Sequence, residues 1–151
     1  MATPDREAMK TEPESRLRFK IPAALSELAP AAARIRVYMD ARGVDRTAIF
    51  ALEMVIEEMA TNAIKYAFHN NHNGEILIEA SVTSTRAHLL IEDNGEAFDP
   101  TEAPDPEVNR SLEDMPIGGL GIHLVRELTD SFDYQRVNDR NQVRVWVNRE
   151  T

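Results

Sequence analysis

Hydrophobic positions along the chain recur with two spacings, every second residue and every three to four residues, and the switches between them mark out elements. LRFKIP (17–22) alternates apolar and polar side chains as a half-buried strand does, and Pro22 closes it. ALSELAPAAARIRVYMDARG (24–43) is rich in Ala and Leu, with Ile35, Tyr38 and Met39 at helical spacing. The pattern predicts a helix with Pro30 in its first turn and Gly43 in the left-handed position past its end. A second helix is predicted from about Asp45 to Phe68, because Leu52, Val55, Ile56, Met59, Ala60, Ala63, Ile64 and Ala67 share one broad arc. EILIEASV (75–82) and RAHLLIED (86–93) read as strands, and the polar link Thr83-Ser84-Thr85 predicts that they pair antiparallel. A helix from about Leu120 to Thr129 follows. Then comes a second hairpin, FDYQRV (132–137) and QVRVWVN (142–148), turning at Asn138-Asp139-Arg140-Asn141.

This order of elements predicts an α+β fold: a two-layer α/β sandwich whose mixed, mostly antiparallel sheet carries helices on one face and is partly solvated on the other. Residues 1–16 are polar, contain prolines and have no period, so a flexible tail is expected there, with one domain over 17–151. Residues 94–119 hold four prolines and three of the six glycines, and exceed the usual connection of about 4–6 residues, which points to a functional loop.

Composition narrows the function classes. Seventeen Lys and Arg against 26 Asp and Glu leave a net charge of −9, which argues against a direct nucleic-acid or acidic-membrane binder and favours a protein partner. The chain has no cysteine, which removes thiolate chemistry and Cys-based zinc sites. No apolar run approaches the roughly 18 residues of a membrane span and no signal pattern opens the chain, so a cytoplasmic protein is expected.

The candidate chemistry lies in three stretches. In IEEMATNAIKY (56–66), Glu58, Asn62 and Lys65, with His69 beyond them, form a stripe at the edge of the apolar arc. A carboxylate, an amide and an ammonium so placed could hold a metal-bound phosphate: Mg2+ takes oxygen ligands and keeps waters, Lys supplies a point charge, and Glu could align or deprotonate an attacking hydroxyl. A solvated Glu–Lys surface stripe would look the same. IEDNGEAFDP puts Asp93 and Gly95 directly after a strand, where a buried carboxylate could accept from an exocyclic amine and glycine admits a flat ring; the same residues also make an ordinary turn. PIGGLGIHLVRELTD places Gly118, Gly119, Leu120 and Gly121 at a helix start, where free N–H groups and the helix dipole attract phosphate. His69 and His72 lack a third ligand nearby and read as a solvated turn rather than a metal pair. Trp146 reads as core or sheet surface, and Arg126 and Glu127 as a solvated helix face.

In order and spacing, the three stretches together resemble the N, G1 and G2 boxes of the GHKL ATP-binding fold shared by gyrase, histidine kinases and certain chaperones. The resemblance is strongest to the small serine kinases that act as anti-sigma factors in bacterial partner-switching systems. It is carried by EEMATNAIKYAF, IEDNGEAFDP, GGLGIHLVRELTD and FDYQRVNDRNQVRVWV, and covers about residues 17–148. It implies that Glu58 orients or activates the attacking hydroxyl, that Asn62 is the magnesium ligand and that Lys65 contacts the phosphates of ATP. It further implies that Asp93 and Gly95 bind adenine, that Gly118 to Gly121 surround the triphosphate and that 100–117 form the ATP lid. Where the broader fold has a second glycine, two residues after Gly95, this chain has Ala97, a binding-site position that adds one methyl. Nothing upstream resembles a dimerisation helix with a phosphorylatable histidine, so the implied acceptor is a serine or threonine of a small anti-sigma-factor antagonist. The second partner implied is a sigma factor or equivalent regulator, with a homodimer possible. The alternative is a nucleotide-binding module that sequesters its partner without phosphorylating anything, for which Ala97 and the acidic lid are the motive.

Overall fold

The computed structural model describes residues 15–69, 73–102 and 119–150. Most of the expected tail, His72, Gly118 and all but the first residues of the expected lid lie outside the described residues.

Five strands form one sheet in the order β1-β2-β3-β5-β4: β1 (Leu17–Pro22), β2 (Glu75–Val82), β3 (Arg86–Asp93), β4 (Ser131–Val137) and β5 (Arg140–Asn148). Every pairing is antiparallel, so the sheet is antiparallel throughout rather than mixed. Alternation decides which side is covered. On β3, Ala87, Leu89, Ile91 and Asp93 are buried while the residues between them are half-exposed. On β5 the buried set is Asn141, Val143, Val145 and Val147. This face meets the helices α1 (Leu28–Ala41) and α2 (Arg46–Asn62), whose Ile35, Met39, Leu52, Val55 and Ile56 have no exposed surface. Burying one such side chain stabilises by about 1.5–3 kcal/mol, and cutting one to alanine costs about 2–5 kcal/mol.

The termini of these elements follow from their end residues. A 3-10 turn, Leu25–Glu27, leads into α1, and Pro30 is its third residue, where a missing N–H costs nothing. Gly43 carries φ +73°, the left-handed C-terminal position expected of it. Asp45 caps α2 by accepting from the Ala48 N–H at 3.2 Å. The second hairpin turns on two residues rather than four: Asn138 (φ 51°) and Asp139 (φ 60°) both take the left-handed conformation of a type I′ turn. Arg140 and Asn141 therefore belong to β5.

The outward face of the sheet is wet and charged, as the alternation predicts. Arg16 and Arg18 reach Glu79 at 3.4 Å, Lys20 reaches Glu75 at 3.5 Å, and the Arg86 guanidinium lies 3.8 Å over the Trp146 ring. Trp146 thus belongs to the sheet surface. Among the described residues no helix is long and apolar enough to cross a membrane.

Candidate active site

The site is organised by the end of α2, which does not finish as an ordinary helix. Residues Ala63–Ala67 form a π-helical turn, closed by the Phe68 N–H donating to the Ala63 carbonyl at 2.9 Å. One extra residue per turn rotates everything after Asn62 out of the wheel that the α-helical spacing predicts, and such turns are common at functional sites. His69 consequently leaves the stripe: it is exposed, has φ 49°, and meets Glu96 at 2.6 Å. Asn62 is not at the edge of the apolar arc but inside it, only 2% exposed. Its Nδ2 has no hydrogen-bond partner among the described residues. Glu58, one turn earlier, is half-buried, as is Lys65.

Two glycine-bearing segments close on this helix end. The loop after β3 lies against the π-helical turn: a Cβ on Gly95 would fall 2.7–2.8 Å from the carbonyl and Cβ of Ala67, and Glu96 N–H donates to the Ala67 carbonyl at 2.8 Å. Only glycine fits there, and the immediate reason is backbone packing. Tyr66 and Phe98 stack across the same junction with centroids 5.1 Å apart. The third helix, α3 (Gly119–Leu128), brings Gly121 against the Glu58 carboxylate. Glu58 and Ala67 are nine residues apart, about 13 Å along a helix at 1.5 Å per residue. The two glycines thus mark opposite ends of an extended site. Gly119 and Leu120 lie in the first turn of α3, and Ala97 is exposed in the loop.

At the Gly95 end, Asp93 is 6% exposed, and its Oδ1 accepts from the Gly95 N–H and from Asn141 Nδ2, both at 2.9 Å. Burial pushes its carboxyl above the ordinary aspartate range, against the opposing pull of Asn141, the Gly95 N–H and Arg136. Asn141 is the residue that sequence reasoning missed. It faces Asp93 across the β3–β5 ladder and uses all four of its hydrogen-bonding positions. Nδ2 also donates to the Glu96 carbonyl at 2.7 Å, while Oδ1 accepts from Phe98 N–H at 3.2 Å and from the Tyr134 hydroxyl at 2.5 Å. One amide therefore ties the carboxylate, the loop and β4 together. A signal was available: Asp93 and Asn141 are polar residues in otherwise apolar alternations, Ala87-Leu89-Ile91 and Val143-Val145-Val147. Reading Asn141 as part of a four-residue turn hid it. Two further contacts hold the rim. Arg136 Nη1 donates to the Gly95 carbonyl at 2.8 Å, and Arg126 on α3 donates to the Thr101 carbonyl.

At the other end, burial first and the neighbouring Glu57 second push the Glu58 carboxyl above its ordinary value, with Lys65 opposing. A carboxylate poised in this way is a better proton acceptor near neutrality.

An antiparallel sheet backed by helices, with two glycine segments closing on one helix end, makes an α+β domain with a candidate site at that helix end. The chain belongs to the histidine kinase-like ATPase domain family, whose model matches residues 21–147. Among curated proteins it is similar to the serine/threonine-protein kinase BtrW of Bordetella bronchiseptica, 35% identical over 94 residues, covering 62% of this chain and 66% of that one. It is also similar to the serine-protein kinase RsbW of Listeria innocua, 35% identical over 92 residues, covering 58% and 59%. The chain thus spans less than two thirds of the length of either. RsbW of Oceanobacillus iheyensis is matched more fully, over 88% of this chain and 85% of that one, at 24% identity. Among solved structures, that of the RsbU and RsbW domains of Rv1364c from Mycobacterium tuberculosis shares the fold, with a TM-score of 0.64 at 14% identity over 90% of this chain and 33% of that one.

Proposed function

We propose that this chain is a protein serine/threonine kinase of the anti-sigma type. It would use magnesium-ATP to phosphorylate a small antagonist protein, and would sequester a sigma factor or equivalent regulator until the unphosphorylated antagonist displaces it. The observation that carries the reading is one helix end bearing a half-buried carboxylate at Glu58, a buried amide with an unpartnered Nδ2 at Asn62, and, at the far end, a buried carboxylate held by Asn141. The names of the kinase relatives support it.

The residues present fit the nucleotide and its metal. The orphaned atom of the buried Asn62 is its Nδ2, a donor that has no partner among the described residues and that a phosphate oxygen of the nucleotide would satisfy. Its amide oxygen would be the protein ligand to magnesium, an ion that keeps much of its own water. Lys65 and the N–H groups opening α3, with Gly118 before them, would hold the phosphates, and residues 100–117 would cover them. Asp93 would accept from the adenine amine, with Gly95 and Ala97 in the wall beside it. When bound, magnesium-ATP supplies the phosphoryl group. Glu58 would align the acceptor hydroxyl and take its proton at the carboxylate, and the shape of the site would keep the acceptor in line and water out.

The test is calorimetric titration with ATP in magnesium and again in chelator, with Asp93→Asn as control, followed by transfer of labelled phosphate to a cognate antagonist. Magnesium-dependent binding and label on a serine or threonine support the proposal. Binding with no label on the antagonist would leave a sequestering module in its place.

A further inference from the structure

Gly121 would ordinarily be read as one more glycine lying against the triphosphate, but its surroundings point to a different role. Its backbone does not require glycine: among the described glycines only Gly43 has a positive φ. What it requires is space. A Cβ built on Gly121 would fall 1.7 Å from Glu58 Oε2, 2.1 Å from its Cδ and 2.7 Å from Oε1. The carboxylate therefore occupies the volume that any other residue's side chain would fill.

At Gly95 the obstacle is of another kind. There a Cβ would strike the backbone of Ala67, which cannot yield without moving the end of α2. At Gly121 it would strike the far end of a flexible side chain, which can swing away. A substitution at 95 attacks the fold; one at 121 leaves the fold in place and moves Glu58.

We propose that Gly121 is a positioning residue for Glu58: the missing side chain forms the seat in which the carboxylate lies, locking α2 and α3 together at the reacting end of the site. The inference rests on the kinase reading for its catalytic consequence, though not for the seat itself. Glu58 has rotatable bonds along its length, and a base that is free to wander spends little time in the geometry that proton transfer needs. The seat removes that freedom without using a hydrogen-bonding group. Residue 121 thereby selects between a fixed and a mobile base.

Four proteins decide it: wild type, Gly121→Ala, Glu58→Ala and the double variant, each as the full chain. Glycine to alanine inside a helix ordinarily stabilises. Without nucleotide, Gly121→Ala is expected to lower Tm when Glu58 is present and to leave or raise it in the Glu58→Ala background, a difference between backgrounds of at least about 2 °C. ADP affinity in magnesium, measured by calorimetry, should stay within about threefold in Gly121→Ala, while kcat for transfer to the antagonist falls about as far as in Glu58→Ala and no further in the double variant. Equal Tm changes in both backgrounds would overturn the seat. So would an ADP affinity loss beyond about tenfold with kcat at saturation intact, which would make Gly121 a nucleotide contact. If wild type transfers no phosphate, the kinase reading fails, and the thermal cycle still decides the seat.

Discussion

The two ends of the site solve the same problem, a polar group inside an apolar core, in opposite ways. At the Gly95 end, Asp93 and Asn141 are both buried, and Asn141 closes a network in which each of its amide positions is used. At the Glu58 end, Asn62 is as deeply buried, yet its Nδ2 has no partner among the described residues, and Glu58 is held by shape against Gly121. A closed network rigidifies, whereas an open one is costly to the protein alone and cheap once a ligand completes it. The first end is built to present one carboxylate in one orientation. Under the proposed function, the second would serve groups that engage a ligand and then an acceptor.

Four measurements test this contrast. The largest effect is expected from Glu58→Ala, which should lower phosphoryl transfer by about 10²–10⁴-fold while leaving the affinity for magnesium-ATP nearly unchanged. Unaltered transfer would remove Glu58 from the chemistry. Next comes Asn141→Ala, expected to lower unfolding stability by about 1–3 kcal/mol in denaturant melts, because it strips a buried carboxylate of a donor and leaves the Phe98 N–H and Tyr134 hydroxyl without their acceptor. A change within 0.5 kcal/mol, about the level of an ordinary surface substitution, would mean that the network is not closed in solution.

Asn62→Leu should do the reverse, raising stability by about 1 kcal/mol through removal of an unpartnered amide of similar size, while abolishing magnesium-dependent nucleotide binding. A loss of stability instead would show that Asn62 is satisfied by the protein itself. The smallest effect concerns pH. Because burial raises the Asp93 carboxyl above its ordinary range, the folded chain holds that proton to higher pH than the unfolded chain does. Asp93 therefore makes stability fall as pH rises from the ordinary aspartate value through the raised one, and the loss levels off above it. Asp93→Asn keeps both hydrogen bonds to Oδ1 possible and should flatten that slope in melts taken across the acid range. An unchanged slope would assign it to other carboxyls.

Much of this was legible in the chain. β1, β2 and β3 fall where alternation put them, Pro30 and Gly43 hold their expected places, and Glu58, Asn62, Asp93 and Gly95 lie where two glycine segments meet one helix. What the sequence obscured had definite causes. The π-helical turn looks like any other helix in composition, so a wheel drawn at 100° per residue carried His69 into the stripe. The second hairpin offered four turn-forming residues where two sufficed, and Asn141 was lost among them.

Local patterns specify which face of each element is buried and where the chain turns, since those depend on the period of apolar residues and on side chains a few positions apart. Those local patterns were enough for the sandwich, for the strand boundaries within a residue or two, and for the residue types available for chemistry. They could not set contacts between positions far apart in the chain. That Asp93 faces Asn141 depends on the β3–β5 register, and that Glu58 rests in the space beside Gly121 depends on how closely two helices pack, 63 residues apart in the chain. Such pairings are decided only when the whole core closes to near-crystalline density, because only then does each missing methyl and each buried amide acquire a neighbour.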